Sequence, residues 1–525
     1  MLLTNARVYT LDAQNRTADT IVVRGGRVAF VGQRDDVNPA AGEEIVDLGG
    51  RIVLPGFVDS HAHLISLARG GMSLNVSGAS SVEVIAGKVS EAAASRPTGT
   101  WITGRGWDQS CWPGGAFPTA AALSVAAPQH PVALTRIDGH ASWLNAAAML
   151  AAGITDATAD PPGGLLLRDA HGEPTGVLID LAQDLVRNVI PDPSAAETDA
   201  AIERAIAECL SVGLVGVHEM GVGLETVDAY KRLLARGAFP FRNYVAVMGR
   251  SRTAWAAYRE RGPEYHPSGR LTVRAVKLMA DGALGSRGAA MHAPYADDPQ
   301  NAGLLLIEPE EFERLVRETA AAGFQLCTHA IGDRANTLVL DTYARVLAEY
   351  PGEDRRFRVE HAQHLRPQDI PRFRELNVIP SMQPTHCTSD MRWAQGRIGA
   401  ERLPGAYPWR SLLDTGVVIA GGSDFPVEPP DPLQGVQAAV MRAPLDGSGP
   451  GWQPEQRMTR LEALRSFTTW AAYAAFEETV AGSIEPGKRA DLVVLEDDPF
   501  ICAEDAIGAI PVALTLVDGE VVYRR

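Results

Sequence analysis

Two histidines one residue apart, His61 and His63, close the segment Gly56-Phe57-Val58-Asp59-Ser60-His61-Ala62-His63. In extended backbone, residues two apart point the same way, so both imidazoles face one point. That geometry suits a divalent cation, which takes neutral imidazole as a ligand. Alone the pair is weak evidence, because ordinary polar residues produce the same spacing. Four further residues strengthen it. Lys277, His329, His361 and Asp424 each close a short apolar run, as the histidine pair nearly does. The chain has twelve histidines, and four of them fall at these run ends. Buried charged groups need partners, and here they would be one another's.

The elements that must carry these residues alternate in character. Short apolar runs at Ile52–Asp59, Leu214–His218, Phe241–Val247, Leu271–Lys277, Phe324–His329, Phe357–His361, Val378–Gln383 and Val417–Asp424 read as strands. Helical patterns such as Pro309–Ala322, Asn336–Glu349 and Pro367–Leu376 lie between several of them. Eight strands with intervening helices predict an α/β fold, a (β/α)8 TIM barrel, whose active site sits at the C-terminal strand ends. The gap between the first two strands is too long for one helix. Residues 66–212 are therefore expected to be an insertion over the barrel mouth, within a barrel domain of residues 55–477. Both chain ends read as short strands, and Asp518-Gly519 between apolar runs is a hairpin signal. Residues 1–54 and 478–525 are thus expected to form one small β-sandwich domain.

Composition excludes several classes. The 525 residues are 46% hydrophobic and 21% charged, as in a globular protein. The formal charge of −16 is spread along the chain without a basic tract, so nucleic acid is not an expected partner. No stretch approaches the ~18 apolar residues that cross a bilayer, and Met1–Asp12 has no signal-peptide pattern. Membrane attachment is not expected. Five scattered cysteines without a CxxC pair favour buried thiols in a reducing cytoplasm.

The ligand-type residues at successive strand ends resemble the amidohydrolase superfamily. Residues 50–63 (GRIVLPGFVDSHAH) and 482–492 (GSIEPGKRADL) resemble its entry and exit segments. The run from Lys277 to Arg287 (KLMADGALGSR), Gly106-Trp107-Asp108, Asp138-Gly139-His140 and Gly422-Ser423-Asp424 resemble its amidohydrolase-3 branch, which is similar to the N-substituted formamide deformylases.

The resemblance implies a binuclear metal centre with two zinc ions per chain. His61 and His63 would hold one ion, His329 and His361 the other, and Lys277 would bridge both as a carbamate, since a free ammonium has no lone pair to give. Asp424 would be both ligand and proton shuttle while metal-activated hydroxide attacks a carbonyl. Gly421-Gly422 would allow close backbone approach to it, or simply make a tight turn. The implied function is metal-dependent hydrolysis of a C–N bond, an amide or N-formyl group, in a small molecule. Trp107, His140, Asp281, Ser286 and Arg287 are expected substrate contacts. His218 is read at the second strand end and His386 after the seventh strand, both without a role, while His292 and His364 are read as surface or loop residues. Alternatives are a lactone or carbamate hydrolase, a mononuclear deaminase using His61, His63, His329 and Asp424, or a non-catalytic metal-binding regulatory relative. A cytoplasmic barrel of this size is often a homodimer, although no segment marks an interface.

Overall fold

The computed structural model describes residues 1–525. Eight parallel strands pair in chain order: β1 (Phe57–Ala62), β2 (Leu214–Val222), β3 (Arg242–Met248), β4 (Leu271–Met279), β5 (Gln325–Ala330), β6 (Arg358–His361), β7 (Ile379–Met382) and β8 (Ala420–Gly421). The seam between β8 and β1 closes just past the strand ends, where Asp424 N donates to His61 O at 2.8 Å and His63 N to Phe425 O at 2.9 Å. The contacts that close the barrel therefore also bring His61, His63 and Asp424 together. The expected strand at 52–59 divides in two. Gly56 separates Ile52–Pro55 from β1, and a Cβ there would meet Val215 Cγ1 at 2.4 Å, so only glycine lets the chain pass.

Ile52–Pro55 belongs to a six-stranded sheet ordered Glu520–Arg524, Val512–Val517, Leu492–Leu495, Ile52–Pro55, Arg7–Tyr9, Thr17–Ala18. A four-stranded sheet of Leu2–Thr4, Thr20–Arg24, Arg27–Gly32 and Ile45–Asp47 accompanies it. Leu3, Val8, Ile21, Val28, Val53, Leu492, Val494 and Leu516 pack together in their shared core. The Asp518-Gly519 hairpin forms with both residues at positive φ, 51° and 76°, as a two-residue turn between twisted strands requires.

These sheets and the barrel form one compact unit, residues 1–67 with 202–525. Arg242 at the start of β3 pins them together. Its guanidinium bonds Asp491 at 2.5 and 2.8 Å and Asp518 at 2.5 Å. Burial would raise the Asp518 carboxyl, but Arg242 and Arg270 outweigh it and hold it below its ordinary value. Arg242→Ala leaves buried Asp491 unpaired and is expected to cost about 3–5 kcal/mol, read as a lowered denaturant midpoint. A depressed carboxylate stabilises above its unfolded pKa of about 3.9 and loses that contribution as pH falls through the folded value. The gap between wild type and variant should therefore narrow on acidification below about pH 4.

Residues 68–201 form a second unit with its own mixed sheet, ordered Gly164–Arg168, Pro174–Asp180, Ala141–Leu144, Val132–Arg136, Ile102–Trp107, Leu74–Asn75. This insertion has its own apolar core, including Val76, Ile85, Ile102, Leu123 and Trp143. No helix of the chain is long and apolar enough to cross a membrane. All five cysteines are free thiols; Cys209, Cys327 and Cys387 are buried, whereas Cys111 is exposed and Cys502 half-buried.

Candidate metal centre

The barrel strands bring His61, His63, Lys277, His329, His361 and Asp424 to one end. His61 is fully buried, and its Nδ1 lies 2.6 Å from Glu360 Oε2. A carboxylate accepts, so Nδ1 carries the proton and Nε2 keeps its lone pair. That Nε2 lies 3.3 Å from Lys277 Nζ and 3.6 Å from Asp424 Oδ1. His63 Nε2 is 3.1 Å from the same carboxylate oxygen. His361 is oriented in the same way, its Nδ1 2.8 Å from Gln383 Oε1. Ring centroids of His61 and His361 are 4.7 Å apart, and those of His329 and His361 4.5 Å.

Several observations fit a cation. Donor atoms of His61, His361 and Asp424 all lie within 4.8 Å of one another. Burial drives the His61 and His329 pKa values down to about 4 and about 3, and drives His361 well below its ordinary value. All three are thus neutral imidazoles, the ligating form. His329 Nε2 is buried without a hydrogen-bond partner, a cost of about 1–3 kcal/mol that a ligand would remove. Lys277 is fully buried, and burial lowers its pKa. His361 and Asp424 hold left-handed backbone, φ 74° and 61°, unusual for side-chain-bearing residues and typical of functional sites.

The amidohydrolase family model, of the branch designated Amidohydro_3, matches residues 44–523. The chain belongs to the amidohydrolase family. It is 33% identical to the putative amidohydrolase YtcJ of Bacillus subtilis, over 99% of this chain and 98% of that one. It is 30% identical to the N-substituted formamide deformylase of Arthrobacter pascens, over 100% and 98% of the two chains. A crystal structure of an uncharacterized metal-dependent hydrolase from Pyrococcus horikoshii superposes with a TM-score of 0.79 at 28% identity, covering 96% of this chain and 98% of that one. As an amidohydrolase, the chain is a metal-dependent hydrolase built on the family's barrel.

Three buried carboxylates in this amidohydrolase tie down the turns that carry the candidate ligands. Asp59 accepts from His61 N at 2.9 Å, Ser423 N at 3.0 Å and Ser423 Oγ at 2.6 Å, joining the ends of β1 and β8. Gly422 makes this contact sterically feasible, since a Cβ there would meet Asp59 Oδ1 and His61 N at 2.7 Å. Gly422 thus lets the backbone after β8 pass close to Asp59 and His61. Glu219 accepts from Leu64 N at 2.7 Å and Ile65 N at 3.2 Å, fixing the turn after His63. Asp281 accepts from Ala290 N, Ile331 N and Gly332 N at 2.8–2.9 Å, tying the loop after β4 to the turn after His329. Burial pushes each of these three carboxyls up to about 7.

The expected substrate contacts need correction. Asp281 is 0% exposed and committed to those backbone amides, so it shapes the loop and does not face a substrate. Trp107 is 0% exposed inside the core of the 68–201 unit; its Nε1 donates to Leu134 O and its ring packs on Trp112 and Trp143. It is a packing residue, because its polar edge is satisfied internally. His140, in the same unit, is exposed and pairs with Asp180 at 2.9 Å. Ser286 is exposed on the loop after β4, and Arg287 there is paired with Asp297 at 3.0 Å.

Other histidines move too. His218 lies mid-strand, not at a strand end, because β2 continues to Val222; it is buried against Arg358 at 2.9 Å. His364 lies in a loop as expected but is buried against Tyr407 rather than on the surface, whereas His292 is exposed. His386, in the helix Pro384–Ile398, enters the site. Its Nε2 is 3.7 Å from Asp424 Oδ2 and has no hydrogen-bond partner, and its ring stacks on His361 at 5.9 Å. Only its place after the seventh strand pointed to this.

Proposed function

We propose that this amidohydrolase cleaves a carbon–nitrogen bond, an amide or N-formyl group, in a small molecule, with two zinc ions as cofactor. His61 and His63 would hold one ion and His329 and His361 the other. Lys277, as a carbamate, would bridge both, with Asp424 as a further ligand. When bound, the ions supply Lewis acidity toward the carbonyl oxygen and make hydroxide available near neutral pH.

The observation that carries the reading is the division of labour across Asp424. Its Oδ1 faces His61 and His63, while its Oδ2 faces the unpartnered Nε2 of His386. Oδ2 can take a proton from attacking water and return it to the leaving nitrogen, the exchange that C–N hydrolysis requires. His386, beside that oxygen, can orient the bond to be cleaved. Exposed apolar residues at and near the end of β4 support a substrate with an apolar group. Met279 is 39% exposed, two residues beyond Lys277 and in register with His329. The exposed Leu306 hydrogen-bonds through its N–H to Ala280 O at 2.8 Å. The likeness to an N-substituted formamide deformylase supports an N-formyl amine in particular.

A second reading is a single ion. It is favoured by the tight donor set of His61, His361 and Asp424, which needs no modified lysine. Metal per chain separates the two.

The test of bond type is turnover of N-formyl, N-acetyl and aryl amides, lactones and carbamates by zinc-loaded protein. The N-formyl or amide class is expected to turn over and to stop on chelation. Turnover of lactones or carbamates alone, or of nothing by protein with zinc bound, contradicts the proposal.

A further inference from the structure

We propose that Glu360 and Arg358 are positioning residues that hold His61 in its ligating form and set how tightly the centre keeps its metal. This rests on the metal-centre reading and extends it below the ligands.

Arg358 and Glu360 are two apart on β6, so both point the same way. The side chains of both are 0% exposed. A barrel interior at this depth is ordinarily filled with branched apolar residues. Here it holds an ion pair. Glu360 Oε2 accepts from His61 Nδ1 at 2.6 Å and from Arg358 Nη2 at 3.1 Å. Arg358 Nε lies 2.8 Å from Oε1 as a charge contact rather than an aligned hydrogen bond. Arg358 also grips the neighbouring strands. Its Nη2 donates to Ser60 O at 2.5 Å and to Ser381 Oγ at 2.8 Å, and its Nη1 to His218 Nδ1 at 2.9 Å.

His61 is thus held twice, through its ring by Glu360 and through the preceding carbonyl by Arg358. The ring contact fixes the tautomer with Nε2 toward the centre, and an anionic partner makes that nitrogen more basic. Fold stability alone is a weak reason for the pair, because replacing buried ion pairs by apolar residues is often neutral or stabilising. A role in metal retention does account for it.

The experiment measures cobalt(II) and zinc affinity by chelator competition on full-length protein, with folding checked by circular dichroism and the cobalt absorption spectrum recorded. Glu360→Gln keeps shape and an acceptor but removes the charge. It is expected to weaken metal binding about 10–100-fold and to shift the cobalt spectrum, and to lower the melting temperature of the apo-protein because the buried Arg358 loses its charge partner. Arg358→Met alone strands a buried carboxylate and is expected to misfold. The double variant Glu360→Gln/Arg358→Met removes both charges, and should fold and bind weakly even if Glu360→Gln does not fold. Affinity within twofold of wild type in either folded variant overturns the proposal. Wild-type protein that takes up neither metal overturns the metal-centre reading, and this role with it.

Discussion

Asp424→Asn is expected to fold as wild type and retain its metal while losing about 10²–10⁴ of turnover, the range for a positioned acid–base group. Asparagine keeps the shape of the side chain and an oxygen toward the histidines. Neither of its side-chain polar atoms can carry a proton from water to a leaving nitrogen. Burial pushes the Asp424 carboxyl upward, but the bond to His63 and the surrounding imidazoles outweigh it and hold it well below the usual carboxylate range. The wild-type residue therefore enters as the carboxylate, ready to accept. Steady-state rates with metal analysis on the same samples check this. A variant that turns over at close to the wild-type rate removes Asp424 from proton transfer. Lost metal with lost activity would instead make it chiefly a ligand.

Lys277→Ala is expected to lose at least one equivalent of metal and more than about 100-fold in turnover, beyond the loss typical of groups that only orient a ligand. The lysine ends fully buried with Nζ 3.3 Å from the His61 nitrogen expected to bind metal. A free ammonium there would repel a cation, whereas a carbamate supplies two anionic oxygens at the same place. Truncation leaves a gap, and added short carboxylic acids should partly restore activity by filling it. Metal content equal to wild type would contradict the carbamate bridge and favour the single-ion reading.

The central residues were legible because each sits where strand periodicity and apolar runs point. His61 and His63 differ by the two-residue repeat, and Lys277, His329 and His361 lie at or near the ends of runs that do form β4, β5 and β6. Their supports were not legible. A strand reading Arg-Val-Glu-His looks half-solvated, and only barrel closure turns Arg358 and Glu360 into a dry interior. Trp107 misled for the converse reason, since a tryptophan beside Gly106 and Asp108 suits a pocket wall as well as a core. Trp112 and Trp143 claim it, and only the fold brings those rings within about 6 Å of it. The run read as Leu214–His218 in fact continues, since Glu219 beyond it is a buried acceptor for Leu64 and Ile65 amides and β2 runs on to Val222.

The most direct measurement is amine release from an N-formyl amine while zinc is titrated into chelator-treated protein, beside Asp424→Asn. Turnover should be absent at the start, rise with added zinc and saturate near two equivalents per chain, with the variant binding zinc but staying silent. Release that is independent of metal, or equal in Asp424→Asn, would contradict a metal centre working through Asp424.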